Sequence, residues 1–194
     1  MDELRKMLLN YPMLTPEDID LIVENANVKS FKKGSVLLRE GQVSKECYSV
    51  LKGIVREYYM VDGDEKTTAF YTEGQAVNAF TSFTQDKPSK HFLVCASDCV
   101  LTVGNEALEA EMCRRIPKLE SIIRKEVEKL TGKTQDDFAT FMTSTPEQRY
   151  LNLMETRPDL LNRIPQHQIA SYLGITAESL SRIRKRIFSK NIIN

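Results

Sequence analysis

Residues 164–187, IPQHQIASYLGITAESLSRIRKRI, restrict what this chain can fold into more than any other stretch. They read as two short helices joined by a tight turn. The first ends near Leu173. Gly174 follows, and glycine takes the left-handed backbone of a helix C-terminus without steric cost. Thr176 is placed to cap the second helix, and Glu178 falls in its first turn, where the dipole favours negative charge. Ile169, Leu173, Ile175, Leu180 and Ile183 supply a shared apolar core, and small Ala170 permits close approach. An ordinary helical hairpin does not require all these positions to agree at once. The pattern predicts a helix-turn-helix, whose second helix enters the DNA major groove.

Six side chains are predicted to face DNA from that second helix: Thr176, Ala177, Glu178, Ser181, Arg182 and Lys185. All lie away from Leu180 and Ile183. A guanidinium at Arg182 matches guanine O6 and N7, and a carboxylate at Glu178 accepts from cytosine N4. Thr176 and Ser181 suit phosphate contacts or less selective base contacts. Arg184, Lys185, Arg186 and Lys190 add positioning contacts rather than sequence reading.

Charge is divided along the chain. The 194 residues hold 27 Lys+Arg and 27 Asp+Glu, so the whole molecule is not a general nucleic-acid binder. From Thr145 onward, 8 basic residues face 4 acidic ones, whereas the first 144 residues carry 19 and 23. A basic reader joined to a domain with another task is expected. No apolar run approaches the roughly 18–20 residues of a bilayer span. The N-terminus MDELRKMLLNYP has no signal-peptide layout, so a cytoplasmic protein without a membrane partner is expected. Cys47, Cys95, Cys99 and Cys113 form no CxxC pair, which favours reduced thiols. Cys95 and Cys99 read as one strand face; four residues of strand rise, about 13 Å, exceed disulfide reach.

The fold class expected is α+β. Helices are predicted over about 2–9 and from Pro16 to Ala26, the second capped by Thr15. Strand-like runs follow at 27–31, 35–40, 46–52, 54–61, 66–72, 91–97 and 99–104, with a hairpin turn at Asp62-Gly63. Many short strands with regular turn signals argue for a small antiparallel barrel or sandwich. Helix returns at 106–113. Ile116, Leu119, Ile123, Val127 and Leu130 then recur at three- and four-residue steps towards Phe138, Phe141 and Met142. A single helix over 117–142 spans about 39 Å. Its narrow apolar stripe suits a dimer partner, and Gly132 marks a point where it can bend. Thr145-Pro146 begins the next helix, 146–156, which Pro158 stops. The short stretch 157–164 leaves little room for more than a helical turn. The expected domains are 1–116, 117–143 and 144–194.

This order, together with FKKGSVLLREGQ, CYSVLKGIVREYY and the C-terminal stretch, resembles the Crp/Fnr family of bacterial transcription regulators. The matching positions include Phe31, Gly34, Leu37, Gly41, Tyr48, Val50, Gly53 and Arg56. The resemblance implies a cyclic-nucleotide-binding-like antiparallel β-roll, a long dimerisation helix and a C-terminal winged helix-turn-helix. It also implies a homodimer on near-palindromic promoter DNA, touching RNA polymerase, with Ala177, Glu178 and Arg182 at base-reading positions. Ala177 stands where the family often has Arg, which implies a different preferred sequence.

The same resemblance marks a possible ligand pocket at Gly74, Gln75, Ser89 and Lys90 and sets it apart. Cyclic-nucleotide binders place Glu after the glycine and Arg before a small residue, so that Arg holds phosphate and Glu the ribose hydroxyl. Here Gln75 replaces the Glu and Ser89-Lys90 falls at the Arg position. Lys90 offers an anion a point charge without bidentate geometry. Ordinary cyclic AMP binding is therefore not expected, and the effector is unknown. No cofactor is expected: the cysteines are ungrouped for an iron–sulfur cluster, and a strand histidine such as His91 is more often structural than a haem ligand. No nucleophile–base pair supports an enzyme. The alternative is a small-ligand module whose helix-turn-helix serves protein contacts.

Overall fold

The structure, a computed structural model, describes residues 2–191, with side chains through Ser189. It divides into two compact units. The first comprises the residues through Tyr59 together with Ala69–Leu130; the second comprises Met60–Thr68 and the chain from Thr131 onward.

The first unit opens with α1 (Asp2–Leu8) and α2 (Pro16–Asn25). The Thr15 hydroxyl accepts from the Asp18 N–H and the Asp18 carboxylate accepts from the Thr15 N–H, a reciprocal cap that starts α2 at Pro16. Leu4, Leu8, Ile19 and Val23 bury against Leu51, Ile116 and Ile122. Lys118 ion-pairs with Asp18 of α2.

Between these helices the chain forms two four-stranded sheets. One has the order β1 (Val28–Phe31), β8 (Cys99–Gly104), β3 (Cys47–Lys52), β6 (Ala76–Val77). The other has the order β2 (Val36–Leu38), β7 (Phe92–Cys95), β4 (Val55–Val61), β5 (Asp64–Tyr71). Their inner faces alternate along each strand, and Val50, Val55, Val77, Leu93 and Leu101 are fully buried between them. The expected β-roll is present. Asp62 and Gly63 both take positive φ, 53° and 85°, which suits a two-residue hairpin turn and lets β5 begin at Asp64. The sequence reading did not anticipate β6 or the short helix α3 (Phe80–Gln85).

The expected spacing of Cys95 and Cys99 is corrected. They do not share a strand: Cys95 ends β7, the chain turns through residues 96–98, and Cys99 begins β8. Strand rise therefore does not separate the two thiols, which share one core, where the Cys99 thiol donates towards the Ile54 and Ser97 carbonyls at 3.3 Å.

Helix α4 (Glu106–Arg115) follows, capped by the Asn105 side chain on the Leu108 N–H. Helix α5 (Lys118–Thr143) continues as helix through Gly132. Val127, Leu130, Phe138, Phe141 and Met142 are all at least 40% exposed on it.

In the second unit, Thr145 and Gln148 cap each other at the start of α6 (Pro146–Thr156). Pro158 opens the single-turn helix α7 (Pro158–Arg163). Then come α8 (Gln166–Tyr172) and α9 (Ala177–Asn191). Among the described residues of this unit, Tyr150, Leu153, Leu160, Ile164, Ile169, Ala170, Leu173, Leu180, Ile183 and Ile187 are the buried apolar side chains from 144 onward. Among the described residues from 144 onward no strand is present, so the element between α6 and α8 is α7 rather than a wing. Proline at the first position favours such a turn of helix there.

Candidate nucleic-acid interface and sensor domain

The turn between α8 and α9 is closed by two backbone bonds. The Gly174 N–H donates to the Ser171 carbonyl at 3.0 Å and the Ile175 N–H to the Ala170 carbonyl at 3.0 Å. Gly174 has φ +69°, the left-handed residue this closure needs. Thr176 then caps α9. Its hydroxyl accepts from the Ser179 N–H at 3.2 Å and donates to the Ser179 hydroxyl at 3.0 Å.

On α9, Leu180, Ile183 and Ile187 are buried at 1%, 6% and 7% exposure. Thr176, Ala177, Glu178, Ser181, Arg182 and Lys185 are all exposed. The six predicted contact residues thus occupy one open surface. Arg182 also borders a groove of about 690 Å³ between the start of α6 and α9, together with Thr145, Pro146, Glu147, Ile175, Ser179, Ile183 and Arg186. Arg186, expected to position DNA, ion-pairs with Glu147 at 2.7 Å across that groove. The side chain of Lys190 lies outside the described residues.

The β-roll residues singled out as a ligand pocket lie in turns. Gly74 donates its N–H to the Val50 carbonyl, and Gln75 turns its side-chain oxygen onto the Thr72 N–H at 2.7 Å. Ser89 is 5% exposed and exchanges hydrogen bonds with the backbone of His91. Lys90 is exposed. Between these two pairs, α3 fills the loop, and its buried Ser82 hydroxyl accepts from the Ser44 N–H at 2.8 Å.

A polar cluster that sequence reasoning missed lies on the inner face of the second sheet. Glu57 stands opposite Leu93 in the β4–β7 register, beside the core pair Val55 and Cys95. The Tyr71 hydroxyl donates to its carboxylate at 2.9 Å, and His91 Nε2 lies 3.7 Å from it. Both Glu57 and His91 side chains are mostly buried. Burial first and then the Glu57 charge raise the pKa of Tyr71 and of Tyr59. A single carboxylate two residues into an otherwise apolar alternation was the available signal. Among the described residues, no group of three or more His, Cys, Asp or Glu is arranged to hold a metal ion. Nor is any helix long and apolar enough to cross a membrane.

Residues 28–114 match the cyclic nucleotide-binding domain family. Over nearly the whole chain, the sequence is similar to the fumarate and nitrate reduction regulatory protein of Vibrio cholerae. That match has 24% identity over 190 residues and covers 92% of this chain and 74% of the relative. It is also similar to the transcriptional activator protein Anr of Pseudomonas protegens, at 25% identity, covering 93% of this chain and 78% of that protein. Among solved structures, FixK2 from Bradyrhizobium japonicum superposes with a TM-score of 0.72 at 18% identity, over 86% of each chain. The c-di-GMP responsive regulator CLP of Xanthomonas campestris superposes with a TM-score of 0.71 at 15% identity, over 91% and 93%. At these identities the two structures establish likeness of fold.

Proposed function

We propose that this chain is a transcription regulator of the Crp/Fnr type that acts as a homodimer reading near-palindromic promoter DNA through α9. The observation that carries this reading is the open surface of α9, where all six predicted contact side chains are exposed while Leu180, Ile183 and Ile187 seal the other side. A helix presented this way offers donors and acceptors to base edges in the major groove. The basic balance after Thr145 supplies the phosphate-facing charge. The exposed apolar stripe of α5 supports a second copy as partner, since two readers must sit about 34 Å apart to enter successive grooves. In this reading 117–143 is the dimerisation segment, 144–194 the reader, and 1–116 a sensor-like domain working in the cytoplasm alongside RNA polymerase. Catalysis has no role in it.

The sensor-like β-roll takes cyclic AMP poorly or not at all in this reading. Gln75 and Ser89 spend their polar atoms on their own turns, and Lys90 points no bidentate fork at a phosphate.

Selection of random duplex DNA by the purified chain, without ligand, tests the proposal. Enrichment of a two-fold symmetric site is expected. A lack of enrichment at low salt, where phosphate contacts are strongest, with each candidate effector in turn, would refute it.

A further inference from the structure

The tip of the β4–β5 hairpin belongs to the same compact unit as the helix-turn-helix, and one side chain joins them. Ser171, on α8, accepts a hydrogen bond from the Thr67 backbone N–H at 2.9 Å and donates its own to the Glu65 carbonyl at 2.8 Å. β5 stands at the end of its sheet. Its outer edge presents backbone groups that an added strand would pair. Glu65 C=O and Thr67 N–H point to the same side because strand periodicity is two. One hydroxyl therefore does for this edge what a residue of an added strand would do. Thr67 is only 5% exposed, so its N–H needs a partner from the protein, and losing an acceptor there is costly. The hairpin that offers this edge is set by the positive-φ pair Asp62 and Gly63.

This contact leaves the reading surface open. With Ser171 engaged, the six α9 side chains remain exposed. The bond thus holds the reader without covering it.

We propose that Ser171 is a positioning residue for DNA binding: its hydroxyl pins α8, and through the Gly174 turn α9, to the hairpin tip, so that the hairpin sets the reader's affinity. The proposal rests on the reading of α9 as a DNA-binding helix. Its physical basis is preorganisation. A reader already fixed loses less freedom on binding than one that must be ordered by the DNA.

The test uses the full chain, the duplex it selects, and three substitutions. Ser171→Ala removes both bonds and Ser171→Thr keeps the hydroxyl. Thr67→Pro removes the N–H from an outer edge, where proline is tolerated. Ser171→Ala and Thr67→Pro are each expected to weaken DNA binding about three- to tenfold, the worth of one or two neutral hydrogen bonds. Together they cost no more than either alone, because they break one contact. Ser171→Thr stays near wild type. In the free protein, exchange of the Thr67 amide is slow and becomes roughly tenfold faster or more in Ser171→Ala. Unchanged DNA affinity in Ser171→Ala, with faster Thr67 exchange, overturns the proposal and leaves a purely structural contact. Tighter DNA binding overturns it too, since the contact would then restrain the reader against DNA. Fast Thr67 exchange in the wild type shows the contact is not kept. A wild type that selects no DNA removes the DNA reading itself. Selection that Arg182→Ala impairs and Ser171→Ala leaves intact removes only the positioning role.

Discussion

The ring of Phe141 lies 2.9 Å from where a Cβ on Gly174 would sit. The last turn of α5 therefore packs directly on the turn that joins α8 to α9. Arg149 completes the arrangement. Its guanidinium stacks over the Phe141 ring at 4.3 Å and donates to the Phe141 and Ser144 carbonyls at 3.0 and 3.1 Å, closing the C-terminal end of α5. Gly174→Ala meets two penalties here. A side chain at φ +69° costs about 1–2 kcal/mol, and overpacking against a stacked ring adds about 1–3 kcal/mol. A fall in thermal stability of that size is expected. Phe141→Leu in the same chain should return part of it by removing the obstructing ring. Additive losses in the double variant would show that the two residues do not meet.

Alkaline pH should weaken the fold through its tyrosines. Burial raises the pKa of Tyr11, Tyr48, Tyr59 and Tyr71 above the ordinary phenol value of 10.0, with Glu46 adding to the effect at Tyr48 and Glu57 at Tyr59 and Tyr71. A raised folded-state pKa means the folded protein holds these protons more tightly than the unfolded chain. Their contribution is therefore complete below pH 10 and is lost as pH climbs through the folded values. Denaturant titrations should show stability falling above pH 10, and the phenolate absorbance of these four of the seven tyrosines should appear at higher pH in the folded protein than in the unfolded chain. Replacing Tyr71 by Phe should reduce the slope. It should also cost about 1.5–3 kcal/mol at neutral pH, the worth of a hydrogen bond to a charged group. A slope unchanged in Tyr71→Phe would contradict this account.

The elements with strong local signals were legible in the sequence. Thr15-Pro16 and Thr145-Pro146 carry their own caps, Asp62-Gly63 its own turn, and Leu180 and Ile183 their helical spacing; each appears in the fold where these rules place it. What escaped depends on contacts distant in sequence. Helix α3, FTSFTQ, has no capping side chain and is held by Ser82 on Ser44. Cys95 and Cys99 meet because the chain reverses after β7, whereas strand periodicity alone spreads them apart. Gln75, expected to face a ligand, accepts from the Thr72 N–H, a choice made by the local turn and invisible in residue type. The α9 surface was readable because one helix defines it; the polar cluster at Glu57 was not, because three strand segments build it.

Thr176 and Arg182 should separate two ways of losing DNA affinity. The Thr176 hydroxyl is engaged at the start of α9, accepting from the Ser179 N–H and donating to its side chain. Thr176→Ala removes a cap worth about 0.5–2 kcal/mol and loosens the first turn, which carries Ala177 and Glu178. Binding should weaken by a similar factor on every operator sequence. Arg182→Ala should cost about 1–3 kcal/mol and relax the choice of base at one position in each half-site. Binding measured across single-base operator variants distinguishes the two. Arg182→Ala that weakens all variants equally would reassign Arg182 to a phosphate contact.

Self-association should depend on the exposed stripe of α5. Phe138 and Met142 are each 66% exposed and lie one helical turn apart. Covering a large apolar side chain contributes about 1.5–3 kcal/mol, and a two-fold interface counts each residue twice. Phe138→Lys with Met142→Lys also places four like charges at such an interface. Sedimentation should therefore show the dissociation constant of the dimer rising by at least about a hundredfold. The helical content of α5 should be kept, because lysine is a good helix former at exposed positions. DNA binding should fall in step with dimer loss, since one reader alone holds only half of a palindromic site. A variant that remains as dimeric as the wild type would place the partner on another surface. A variant that becomes monomeric yet binds full operators as tightly would show that pairing of readers is not what α5 provides.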